Sequence, residues 1–131
     1  MLDRRQRVLD TLQSIKSCYV KLMLLKSYEI DACAEGNYEY LYELAGQERA
    51  LVEDINTYMK FIVPDLVYFK RESEIGAVLS EIDVMHEKVI RDSIDIRQNL
   101  STCITLTRKK LDNLNVVTVP VPRPSAIDIR A

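Results

Sequence analysis

Turn chemistry is almost missing from the body of this chain: Gly36, Gly46, Gly76 and Pro64 are its only glycines and proline before Pro120, Pro122 and Pro124 crowd together near the end. Glycine and proline are the strongest punctuators of local structure, so a stretch this poor in them has to be built from long elements. Hydrophobic spacing says which kind. Val8, Leu12, Ile15, Tyr19 and Leu22 recur at steps of three and four, as on one face of an α-helix, and predict a first helix over about residues 3 to 34. Its stripe drifts on to Leu25, Ile30 and Cys33.

Glu35-Gly36-Asn37 ends that helix, because Gly36 can take the left-handed conformation that closes it and Asn37 can cap the next. A tight helical hairpin is expected. The second helix is predicted over about residues 38 to 62, with Leu41, Leu44, Leu51, Ile55, Tyr58 and Ile62 at heptad-like spacing and Glu48 as the one polar interruption. Pro64 removes a donor and disfavours helical geometry at Val63, so it is predicted to end this run. Leu66-Val67-Tyr68-Phe69 would then be a connector with a hydrophobic anchor, or a helical turn.

In the third helix, predicted over about residues 73 to 114, Ile75, Leu79, Ile82, Val89, Ile96, Leu100, Cys103 and Leu114 fit interleaved seven-residue series. At 1.5 Å per residue it would be roughly 60 Å long, beyond the reach of both partner helices. His86, Ser93 and Thr107 occupy apolar-type positions, and a seam weakened in this way can open or face a partner. The three late prolines forbid a helix beyond about residue 116. The expected fold is therefore all-α: an elongated antiparallel helical bundle or coiled coil of three main helices over residues 1–115, with an extended Pro-rich tail over 116–131.

With 47% hydrophobic residues in 131, one domain can bury a core. Eighteen basic residues against twenty acidic ones, interspersed along the helices, leave a net charge of −2 and no electrostatic footprint for nucleic acid or an anionic membrane. No apolar signal core follows Met1, and the densest apolar run, Leu22 to Leu25, is far too short to cross a bilayer, so a cytoplasmic protein without membrane insertion is expected. Cys18, Cys33 and Cys103 are odd in number, widely spaced and set among helical apolar positions, which favours buried reduced thiols over a disulfide framework or a zinc site.

Asp83 and His86 stand one helical turn apart, a spacing that chelates metals in helix bundles. A di-metal bundle needs two such pairs, and this chain has one histidine, so no metal or other cofactor is expected and His86 is placed at the edge of the seam with Asp83 or Glu87 nearby. Phosphate-cradling glycine loops, a serine nucleophile elbow and an oriented His–Cys pair are all missing, which argues against an enzyme. Tyr38, Tyr40 and Tyr42 alternate along the start of helix two and so spread around it; two of them are expected to cover the hairpin turn and at least one to stay exposed. Arg108, Lys109 and Lys110 complement the dipole at the end of helix three.

A long first helix, the turn Glu35-Gly36-Asn37, a second helix carrying Gln47-Glu48-Arg49-Ala50-Leu51-Val52-Glu53-Asp54-Ile55, and a long third helix together resemble the FlgN-type flagellar export chaperones over roughly residues 5 to 114. The resemblance implies a small cytoplasmic helical protein that binds a hook-filament junction (hook-associated) protein, shields its assembly-prone terminal helix before type III export, and meets export-apparatus components. It also implies client binding through the carboxyl-terminal region, where the prolines of this chain depart from a helical binding element. The candidate client-binding residues are Ile96, Leu100, Cys103, Leu111 and Leu114 on the distal stripe of helix three, with Ile127 and Ile129 as anchors in an edge-strand or polyproline-type tail. A self-assembling structural coiled-coil subunit is the alternative, and a homo-oligomer is compatible with either.

Overall fold

Three helices account for the residues that the computed structural model describes, 2–114: α1 (Leu2–Glu35), α2 (Tyr38–Phe69) and α3 (Ser73–Leu114). The chain is an all-α helical bundle. The expectations for the tail, Ile127 and Ile129 included, lie outside the described residues. Backbone contacts divide the chain after Asn99. The first unit holds α1, α2 and α3 up to Asn99; the described part of the second is the helical stretch from Leu100 to Leu114.

The first turn closes as its residues dictate. Gly36 adopts φ 71°, its N–H bonds the Cys33 carbonyl at 3.1 Å, and the Asn37 N–H reaches back to the Ala32 carbonyl at 2.9 Å. Those two bonds satisfy carbonyls that the end of a helix otherwise leaves without donors. The Asn37 side chain then accepts from the Tyr40 N–H at 3.2 Å and caps α2. At the second turn Glu72 plays the capping part, its carboxylate accepting from the Glu74 N–H at 3.3 Å just inside α3.

Pro64 does not end α2. The helix runs through it to Phe69, so the segment Leu66 to Phe69, expected as a connector or a helical turn, is the last turn of α2. An interior proline costs about 3 kcal/mol, since the Lys60 carbonyl loses its donor. Long-range contacts offset that cost. Leu66 and Phe69 pack against the core, Arg4 donates to Asp65 at 2.8 Å, and the Arg4 guanidinium lies 5.0 Å over the Tyr68 ring.

Within the first unit α1 and α2 run antiparallel with closely approaching backbones, while α3 runs parallel to α1 and meets the pair through side chains. Val8, Leu12, Ile15 and Leu22 from α1, Ile55 and Ile62 from α2, and Ile75, Val78 and Ile82 from α3 form one buried cluster. Each such side chain contributes about 1.5–3 kcal/mol when fully buried. Ion pairs pin α3 to α1 in register: Arg5 grips Glu72 with two bonds of 2.9 Å and Glu74 with one of 2.6 Å, and Lys16 pairs with Glu81.

Candidate functional site

The backbones of α1 and α2 approach each other more closely than either approaches α3, and a groove lies between α2 and α3. Its floor is the inward stripe of α1, with Leu12, Ile15, Tyr19 and Leu22; one wall is Val52, Ile55, Asn56 and Met59 of α2. The facing wall comes from α3, from Leu79 and Ile82 through His86 to Ile90, Ile94 and Arg97. Two cavities of about 510 and 260 Å³ share Tyr19, Ile55, Asn56 and His86, so they adjoin along this groove, which is called the channel below. Between Leu79 and Arg97 the α3 wall extends about 27 Å, the length of an eighteen-residue helix.

Most of this lining is apolar, and the polar groups are few and placed. The Tyr19 hydroxyl and His86 Nδ1 share a hydrogen bond of 2.9 Å across α1 and α3, with the rings edge to face at 5.8 Å. Burial, and after it the charge of Asp83, push the Tyr19 phenol above its ordinary pKa, so it remains a neutral hydroxyl near pH 7. Ser93 donates to the Val89 carbonyl of its own helix at 2.8 Å, which turns its hydroxyl inward to the backbone. Asp83 and Arg97 stand toward opposite ends of the channel. Such a lining is suited to contact: two isoleucines, Ile90 at 46% and Ile94 at 45% exposure, have about half of their surface still to bury.

One layer beyond the channel, three charged side chains replace the apolar core. Lys26 and Glu29 of α1 are buried and Glu48 of α2 is largely so, with the Lys26 ammonium 2.6 Å from Glu48 and 3.3 Å from Glu29. Cys18 and Cys33 are buried, as their spacing predicts, and Cys103 is half-buried. Burial raises the Cys18 thiol pKa, with Asp54 adding to the rise.

The client-binding candidates fall in different surroundings. Ile96, only 6% exposed, is a buried residue of the first unit; Leu100 and Cys103 are half-buried, and Leu111 is exposed. Leu114 is the last residue of α3, and Ile127 and Ile129 are outside the described residues. None of the placed candidates lines the channel, whereas Val52, Ile90 and Ile94, which do, were not singled out from the sequence. Their signal was present: Ile90 and Ile94 widen the α3 seam by an adjoining apolar stripe four residues apart. His86 sits where expected, at the seam edge with Asp83 nearby on the same wall, and its hydrogen-bond partner is Tyr19 of α1. Tyr38, Tyr40 and Tyr42 are all exposed, Tyr42 the most, in line with the expectation that at least one stays open.

Among the described residues no His, Cys, Asp or Glu side chains gather in threes as metal ligands would, and no helix is long and apolar enough to cross a membrane. Comparison with protein-family models, curated proteins and solved structures gives no match.

Proposed function

We propose that this chain is a non-catalytic chaperone that holds an amphipathic helix of a client protein in the α2/α3 groove. The supporting observation is a pair of adjoining, mostly apolar cavities walled by two helices and floored by a third, which a fourth helix would complete as a bundle. Helix-in-groove recognition uses anchors at three- and four-residue steps, and Ile90, Ile94 and Arg97 offer that rhythm on the α3 wall. Charge gives the occupant a direction. A helix amino terminus or basic residue suits the Asp83 end, and a carboxyl terminus or acidic residue suits Arg97.

The resemblance to FlgN-type export chaperones supplies the client class: a hook-associated flagellar protein whose assembly-prone terminal helix is shielded in the cytoplasm until type III export. A groove that covers an apolar stripe reversibly is the physical form such shielding takes. Mixing the full chain with a hook-associated protein, followed by size-exclusion chromatography with light scattering, tests this. A stoichiometric heterocomplex lost on Ile90→Asp/Ile94→Asp substitution is the expected result. A chain that remains homo-oligomeric and ignores the client would favour the self-assembling coiled-coil subunit instead.

A further inference from the structure

The charged layer next to the groove carries an imbalance. Val8, Ile15, Leu22 and Glu29 succeed one another at seven-residue steps on α1, and all four are buried, so the carboxylate of Glu29 occupies a core position. Glu48 stands seven residues before Ile55 on the inward stripe of α2, and Lys26 seven after Tyr19 on α1. Two carboxylates thus face one ammonium. The side chains of Lys26 and Glu29 are each 5% exposed, and Oε2 of Glu29 has no hydrogen-bond partner.

A carboxylate oxygen held in a core without a hydrogen bond has lost its hydration and gained nothing in return. The charged groups acting on Glu29 are Lys26 from its own helix and Glu48 from α2. From α3, Arg97 reaches the adjoining groove, while Lys88 and Asp92 pair with each other at 3.1 Å beside Ser27 and Asp31 of α1. A single proton resolves the conflict, because a protonated carboxyl becomes a donor and the surplus charge disappears.

We propose that Glu29 and Glu48 share one proton in the folded hairpin, and that its loss at alkaline pH loosens this layer of α1 and α2. Burial, then the hydrogen bond and charge of Glu48, push the Glu29 carboxyl up to about 7 from the ordinary 4.5, against the opposing pull of Lys26. The folded state therefore binds a proton that the unfolded state gives up. This stabilisation is complete below about pH 4.5 and is lost as pH rises through about 7. The layer adjoins the groove at Leu22 and Val52, which places a proton-sensitive element beside the channel.

Two measurements on the full chain decide the matter. Carbon-13 titration of the glutamate carboxyls, with Glu29 assigned by its loss in Glu29→Gln, should show a resonance that titrates near pH 7. Urea unfolding of the wild type should show a folding equilibrium constant about 30-fold smaller at pH 8.5 than at pH 5.5, and Glu29→Gln, which mimics the protonated carboxyl, should flatten that dependence. Should Glu29→Gln fail to fold, the wild-type titration still stands. The proposal is overturned if every glutamate carboxyl titrates below pH 5.5, or if Glu29→Gln keeps the wild-type slope.

Discussion

Truncating both groove isoleucines, Ile90→Ala/Ile94→Ala, separates contact with a client from support of the fold. Full burial of an isoleucine is worth about 1.5–3 kcal/mol. With exposures of 46% and 45%, slightly under half of that is left for a client to cover, about 1 kcal/mol for each residue. Together they should cost about 2 kcal/mol of binding, or about 30-fold in Kd. The covered halves also belong to the fold, so the same variant should lose about 2–3 kcal/mol of stability. Fluorescence anisotropy with a labelled peptide carrying the client's terminal helix reads the first quantity, and urea unfolding followed by circular dichroism reads the second. Ile75→Val is the control: Ile75 is fully buried and outside the channel, so stability should fall by about 1 kcal/mol with Kd unchanged. If the double variant binds the peptide within threefold of the wild type, the α2/α3 groove is not where the client lies.

Replacing the exposed Pro64 by alanine restores the donor for the Lys60 carbonyl and should raise stability by about 2 kcal/mol, the interior-proline penalty less the entropy that proline removes from the unfolded chain; a lower urea midpoint would mean that the ring positions Leu66 and Phe69. Gly36→Ala meets no atom within 4 Å but forces an L-residue to φ 71°, so thermal unfolding should report a backbone cost of about 1 kcal/mol and no more. Arg5 hydrogen-bonds Glu72 and holds its carboxyl below the ordinary value of 4.5. The stability this supplies is present above that value and is lost as pH falls through the lowered one, so Arg5→Met should show a shallower loss of urea midpoint between pH 5 and pH 3 than the wild type.

The helical body was legible because its signals are local. Three- and four-residue spacing, the Gly36-Asn37 turn and the scarcity of other turn residues all act over a few residues, and apart from the end of α2 the helices begin and end close to where those signals place them. Pro64 misled for a reason that spacing cannot reveal: whether a proline ends a helix depends on what the residues just after it can reach. Here Leu66 and Phe69 reach the core and Asp65 reaches Arg4, sixty-one residues away. The groove was hidden for a related reason. A seam residue and its exposed neighbour look alike in sequence, and only the packed helices show that Ile96 is covered while Ile90 and Ile94 remain partly open.

Glu48 shows how much a single polar interruption can mean once its surroundings are known. In the sequence it is one acid among many on a helix whose apolar residues continue around it. On the folded hairpin it faces Lys26, which holds Glu29 as well, so three ionisable groups occupy a layer that the neighbouring heptads fill with leucine and isoleucine. Apolar residues there would make a more stable hairpin, since desolvating charges costs more than their pairing returns. What the charged layer adds is a response: the hairpin tightens when it takes up a proton and loosens when it gives one up. The groove beside it, which supports the reading of a client-holding chaperone, is lined by Leu22 and Val52, one helical turn from Lys26 and Glu48 respectively. Client affinity should therefore change with pH in the wild type and lose that dependence in Glu29→Gln, and anisotropy at pH 6 and pH 8 would measure both. Equal pH dependence in the two proteins would confine the charged layer to stability and leave the groove independent of it.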